Sequence, residues 1–152
     1  MVKLLVENGA DVNYVPLLTI ASPLGLAAQS DSVDNLKIVK FLIENGADVN
    51  FSRNKHDHPA GMALSNGELH PNGMEILKVM MEAGADPEKE RVLTVACYCK
   101  HEEAIRYLVE QWGYDASNPL YLCAYCYNDD EYCYETFKYF LEKGANPYEI
   151  CI

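Results

Sequence analysis

The chain has 152 residues, 49% of them hydrophobic, and 23 acidic side chains against 12 basic ones give a net charge of −11. That is too apolar for a disordered chain, yet no apolar run is long enough to span a bilayer and no basic segment leads into an apolar stretch as a secretion signal would. Without a lysine- and arginine-dense stripe the acidic balance argues against nucleic acid, so the expectation is cytosolic folding as one compact unit with a neutral or basic protein partner.

Met1 to Val6 opens as MVKLLV and runs into Glu7–Asn13, ENGADVN. Two apolar residues, one basic residue, three apolar residues and a Glu make an amphipathic helix with a wide apolar arc, and the following Gly supplies the left-handed residue that ends it. Tyr14–Ile20 then leaves room for a β-hairpin finger, and Ser22-Pro23-Leu24-Gly25-Leu26-Ala27-Ala28 starts a second kind of helix, with a capping residue followed by Pro at the first helical position. After the insertion QSDSVDN comes IVKFLIENG, and ENGADVN recurs at Glu44–Asn50, identical and 37 residues on. A finger at Phe51–Asp57, a short helix from His58-Pro59-Ala60-Gly61-Met62-Ala63-Leu64, the insertion SNGELHPNG and the helix ILKVMMEAG repeat the order.

Beyond EAGADPE at Glu82–Glu88 the finger is almost gone. Arg91-Val92-Leu93-Thr94-Val95-Ala96-Cys97 is the next short helix, Tyr98-Cys99-Lys100-His101 a turn without insertion, and AIRYLVEQW the next long helix. EQWGYDAS at Glu110–Ser117, Asn118-Pro119-Leu120-Tyr121-Leu122-Cys123-Ala124, the insertion YCYNDDEYCYE, TFKYFLEKG and EKGANPY at Glu142–Tyr148 close the series. The heptads are spaced by 37, 38, 28 and 32 residues, which reads as a module of roughly 33 residues varied in its loops. Boundaries follow at 1–13 for a half repeat and at 14–50, 51–88, 89–116 and 117–152 for whole ones. Lys3 and Glu7, Lys40 and Glu44, Lys78 and Glu82, Arg106 and Glu110, and Lys138 and Glu142 stand four apart, the spacing of ion pairs along an exposed helix edge.

Ser-Pro-Leu-Gly-Leu-Ala-Ala followed by Phe-Leu-Ile-Glu-Asn-Gly-Ala-Asp-Val-Asn resembles the ankyrin repeat, marked by a Thr-Pro-Leu-His start and a Gly-Ala-Asp-Val-Asn close. The resemblance covers essentially the whole chain. It implies an all-α right-handed solenoid of antiparallel helix pairs, with finger loops on one side, used to hold other proteins. Departures are specific. The family's His is replaced by Gly25, Gly61, Thr94 and Tyr121, which puts the usual hydrogen-bond link between repeats in doubt, and fingers survive only in the N-terminal half. The opening repeat lacks its first helix and Ile150-Cys151-Ile152 brings no polar cap, whereas solenoids need polar caps. The expectation is a piece of a longer array, or else ends that meet another chain; the protein is otherwise read as a monomer.

No phosphate loop, nucleophile elbow or paired carboxylate motif is present, so no catalytic residue is expected. Cys97, Cys99, Cys123 and Cys126 include a Cys-x-x-Cys, but the repeat alignment puts Cys97 and Cys123 in buried small-residue positions and separates Cys99 from Cys126 by about one helix packing distance, about 10 Å. Packing in a reduced state is preferred over a zinc or redox role. His56-Asp57-His58 falls on a finger, with His58 placed to cap a helix, and Asn128-Asp129-Asp130-Glu131 lacks the ligand pattern of a calcium loop. Neither metal nor cofactor is expected.

The residue just after each small pair is expected to face the concave groove: Gln29, Ser65, Tyr98 and Tyr125, with Tyr121 one turn before Tyr125. Exposed tyrosines supply contact area at low entropic cost. Tyr14 and the locally basic finger with Phe51, Arg53, Lys55 and His56 complete the expected partner surface. The reading is a non-catalytic protein–protein interaction module; the alternatives are a targeting or regulatory segment of a larger enzyme or of a secreted effector, delivered to a host cytosol in the latter case, and a thiol redox or zinc-binding protein.

Overall fold

The computed structural model describes residues 1–16, 21–51, 58–65, 70–86, 92–118, 134–146 and 148. Among these residues the chain is helical throughout, without a strand, and it forms two compact units, Met1–Val92 and Leu93–Ile152. The first holds α1 (Val2–Glu7), α2 (Pro23–Gln29), α3 (Asn35–Glu44), α4 (Pro59–Met62) and α5 (Gly73–Glu82). At the boundary α6 (Val92–Tyr98) begins, and α7 (Glu102–Trp112) and α8 (Tyr134–Glu142) follow in the second unit.

In the first unit each element follows from its local sequence. Ser22 stands in extended backbone ahead of Pro23, and its hydroxyl accepts the Gly25 N–H at 3.1 Å, so α2 starts where the cap pattern places it. The long helices end as the Gly-Ala step dictates. Gly46 takes a φ of +86°, its N–H reaching Ile43 O at 3.0 Å while the Ala47 N–H reaches Leu42 O at 2.9 Å. That is the Schellman closure, which satisfies two of the carbonyls a helix end leaves open and turns Ala47 into the core. Gly9, Gly84 and Gly144 repeat it with the alanine that follows each. In the fourth repeat EQWG replaces this closure, and Gly113 carries the left-handed turn, with Tyr114 N–H reaching Leu108 O.

Packing in this unit follows the repeat. α2 packs on α3 of its own repeat and on α4 of the next, and α3 packs on α1 and α5, so short helices stack on short and long on long. Leu24, Ala28, Val39, Leu42, Ala60, Leu64, Ile76, Leu77 and Met80 fill the core between the rows. α1 buries none of its residues, and Leu4 and Leu5 remain largely exposed.

The end of the repeated heptad explains its own identity. Asn13 donates to Gly46 O at 3.0 Å and accepts the Asp48 N–H at 2.8 Å, and Asn50 makes the same pair with Gly84 O at 3.0 Å and Asp86 N at 2.6 Å. Asp11 and Asp48 accept the N–H of the Asn two residues on, an Asx turn that sets the Asn pointing forward. Gly, Ala, Asp and Asn are thus a closure, a core contact, a turn and a link to the next repeat.

At the start of α5, Gly73 is needed for space. A Cβ there would lie 2.7 Å from the Ala63 carbonyl oxygen, a backbone atom with little room to retreat. Gly73→Ala is expected to cost about 1–3 kcal/mol through overpacking, checked by urea denaturation.

The second unit is built around α7 and α8. Lys100 takes a left-handed φ of 56°, and His101 N–H reaches Ala96 O at 2.9 Å while its Nδ1 accepts the Ala104 N–H at 3.4 Å, so His101 caps α7. Tyr139 on α8 donates to Glu110 on α7 at 3.3 Å, under the Arg106 guanidinium at 4.7 Å and the Lys143 ammonium at 5.4 Å from its ring. Of the expected lysine-or-arginine to glutamate steps, Lys3–Glu7 closes at 3.8 Å, whereas Arg106 is drawn to an aromatic face instead. Lys37 pairs outside that scheme, with Asp34 at 2.7 Å.

Candidate functional site

Three successive repeats place the residue after the small pair in the same setting. Ala28, Leu64 and Cys97 are fully buried, whereas Gln29 is exposed, Ser65 half-buried and Tyr98 55% exposed. These residues are held by helix stacking, and the next one turns outward because one step along a helix rotates the side chain by about a quarter turn. Gln29 and Ser65 meet: the Gln29 amide donates to Ser65 Oγ at 3.2 Å, and that hydroxyl donates to Met62 O at 2.8 Å. Tyr98 lies on α6 and is placed here by register, at the same step of its own repeat.

Of the finger residues, Tyr14 is exposed and its N–H reaches Asp11 O at 3.2 Å, while Phe51 is half-buried and its N–H reaches Asp48 O at 3.3 Å. Arg53, Lys55, His56, Tyr121 and Tyr125 lie outside the described residues, as do Asp57 and Asn128–Glu131. His58 stands at the start of α4 as expected, but its side chain makes no capping hydrogen bond. That expectation is corrected: His101, at the other kind of helix start, is the histidine that caps.

The thiol reading narrows to two residues. Cys97 is buried, and the loss of solvation pushes its thiol well above the ordinary range, which disfavours the thiolate that metals and oxidants need. Cys99 is half-buried, and both are free of disulfides. Cys123 and Cys126 lie outside the described residues. Among the described residues no group of three His, Cys, Asp or Glu side chains could hold a metal ion, and no helix is long and apolar enough to cross a membrane.

Three side chains in the insertions were not singled out by sequence. Asn35 is fully buried; its Oδ1 accepts the Leu36 N–H and an Asn72 amide hydrogen, each at 2.6 Å, and its Nδ2 donates to Ser30 O at 2.7 Å and faces His70 Nε2 at 3.5 Å. The signal available was an Asn and a His at matching ends of two polar insertions, which reads as ordinary loop composition.

A family description, Ankyrin repeats (3 copies), matches residues 61–150, and Ankyrin repeat matches residues 21–55. The chain belongs to the ankyrin repeat family. No curated protein matches it. Ankyrin repeats are generally protein–protein interaction modules, and the family is typically non-catalytic. The ankyrin assignment gives the closures at Gly9 and Gly46 and the forward-pointing Asn13 and Asn50 a common origin: they are the Gly-Ala-Asp-Val-Asn close of the first two repeats. The departure from the Thr-Pro-Leu-His start shows too: Gly25 stands in place of the His, and Met62 of the next repeat fills the space, its Sδ 2.8 Å from where a Cβ would lie.

Proposed function

We propose that this ankyrin chain is a non-catalytic protein-binding module, working in the cytoplasm, that takes its partner on the outward step of its short helices. In the first unit Gln29 and Ser65 are the residues proposed for this role, with Tyr14, Phe51, Arg53, Lys55 and His56 on the finger side; in the second unit Tyr98 is proposed by register, together with Tyr121 and Tyr125. The observation that carries the reading is the repeated step from a fully buried residue, Ala28, Leu64 or Cys97, to a more accessible one, Gln29, Ser65 or Tyr98. Tyr98 is suited to recognition, since more than half of a large amphipathic side chain is left uncovered.

Affinity capture from a lysate of the source organism tests this. Tyr98→Ala combined with Tyr125→Ala is expected to reduce recovery of the captured partner at least about tenfold, the loss of one or two aromatic anchors, with helical circular dichroism unchanged. Undiminished recovery by the double variant would remove these tyrosines from the binding surface.

A further inference from the structure

We propose that Asn35, His70 and Asn72 are positioning residues that hold the second and third repeats in register through their inserted turns, with His70 kept as the Nδ1-protonated tautomer so that its Nε2 accepts from Asn35. The argument starts from two backbone groups. Leu36 N–H can only donate, so the Asn35 atom 2.6 Å from it is the oxygen, and Ser30 C=O can only accept, so the atom 2.7 Å from it is the nitrogen. The amide orientation is therefore fixed. Its oxygen takes two hydrogens, from Leu36 and from Asn72. Its nitrogen has two to give: one goes to Ser30, and His70 Nε2 lies 3.5 Å away, within reach of the other.

Donation to Nε2 requires a lone pair there, and in the neutral ring the proton then belongs to Nδ1. Among the described residues the buried Nδ1 has no hydrogen-bond partner, so none of them rewards this tautomer from that side; the Asn35 side chain selects it. Asn35 and His70 are respectively 0% and 5% exposed, which shields the network from competing water.

The network stands where the repeats need it. Gly25 and Gly61 have removed the side chains that would join the short helices, while Ser30 and Asn35 belong to the turn of one repeat and His70 and Asn72 to the turn of the next. Ser30 directly follows Gln29, and Ser65 opens the turn that His70 and Asn72 close, so the network and the Gln29–Ser65 bond tie the same two turns at two points. The importance of keeping Gln29 beside Ser65 rests on the proposed binding surface, but the network itself can be tested without a partner.

In the full chain labelled with nitrogen-15, long-range proton–nitrogen correlation at a pH where the imidazole is neutral is expected to show His70 as the Nδ1–H tautomer. Asn72→Asp keeps the shape of a half-buried side chain but places an acceptor against the Asn35 oxygen. It is expected to shift His70 toward the Nε2–H tautomer and to speed amide exchange at Ser30 and Gly73 at least about tenfold, while Ile105 and Leu108 in the second unit are unchanged. Asn72→Ala is expected to match it, which assigns the effect to the lost donor. A parent ring carrying its proton on Nε2, or exchange in Asn72→Asp within about twofold of the parent at Ser30 and Gly73, overturns the proposal. Loss of partner capture by the tyrosine variant is a separate readout, so failure of the binding surface and failure of the network are told apart.

Discussion

Phe140→Ala is expected to destabilise the Leu93–Ile152 unit by about 4 kcal/mol, the cost of removing a fully enclosed aromatic ring together with the cavity it leaves. Phe140 is 0% exposed and stands first among the largest wholly buried side chains. Its ring meets Tyr139 edge-on, with centroids 6.1 Å apart and planes at 63°. Its carbonyl also accepts the Ala145 N–H at 3.0 Å in the closure of α8, so collapse of the cavity would disturb the helix end. A folded domain has only about 5–15 kcal/mol to lose, so this change approaches the whole stability of a small unit. Trp112 is the chain's single tryptophan and lies on α7, which makes its fluorescence in urea the direct probe. Leu5→Ala, followed by far-ultraviolet circular dichroism because Leu5 lies in the first unit, supplies the control, since Leu5 holds the same register position in the first repeat yet is 55% exposed. Its expected cost is under about 1 kcal/mol, since the side chain gains little from folding. A Phe140→Ala loss as small as that of Leu5→Ala would contradict the enclosed position of the ring.

The same register comparison shows which parts of this fold could be read in advance. The long helices, their glycine ends and the cap at Ser22 are local matters: a few residues within one turn decide them, and the sequence carries those residues side by side. The burial of Leu42, Met80, Leu108 and Phe140 was legible because five aligned strings repeat one amphipathic pattern. The links between repeats were harder. Asn13 was visible as a letter of a repeated heptad, but its bonds go to Gly46 and Asp48, more than thirty residues away, and only stacking brings those groups together. His58 was assigned a capping role from its place before Pro59, whereas the imidazole that caps belongs to His101, where a left-handed Lys100 turns the ring back over the helix start. The surface residues divide in the same way: outward direction at Gln29 and Tyr98 follows from helical rotation, but the hydrogen bond between Gln29 and Ser65 depends on how closely two repeats approach.

Asn35→Leu is expected to destabilise the Met1–Val92 unit by about 3 kcal/mol, more than the loss of any single hydrogen bond. The leucine conserves volume and adds apolar surface, so the cost comes from the groups left behind. Ser30 C=O, Leu36 N–H, Asn72 and His70 Nε2 all lose a partner at once, and a buried polar group without one costs about 1–3 kcal/mol. Ser30 and Asn72 are half-buried and can recover water, which keeps the sum well below four full penalties. Urea denaturation followed by far-ultraviolet circular dichroism measures the loss, and amide exchange assigns it to the first unit. Asn72→Ala added to Asn35→Leu is then expected to cost less than about 0.5 kcal/mol, because the bond it would break is already gone, whereas alone it costs about 1 kcal/mol. If the two costs simply add, the side chains act independently and no network joins the two turns.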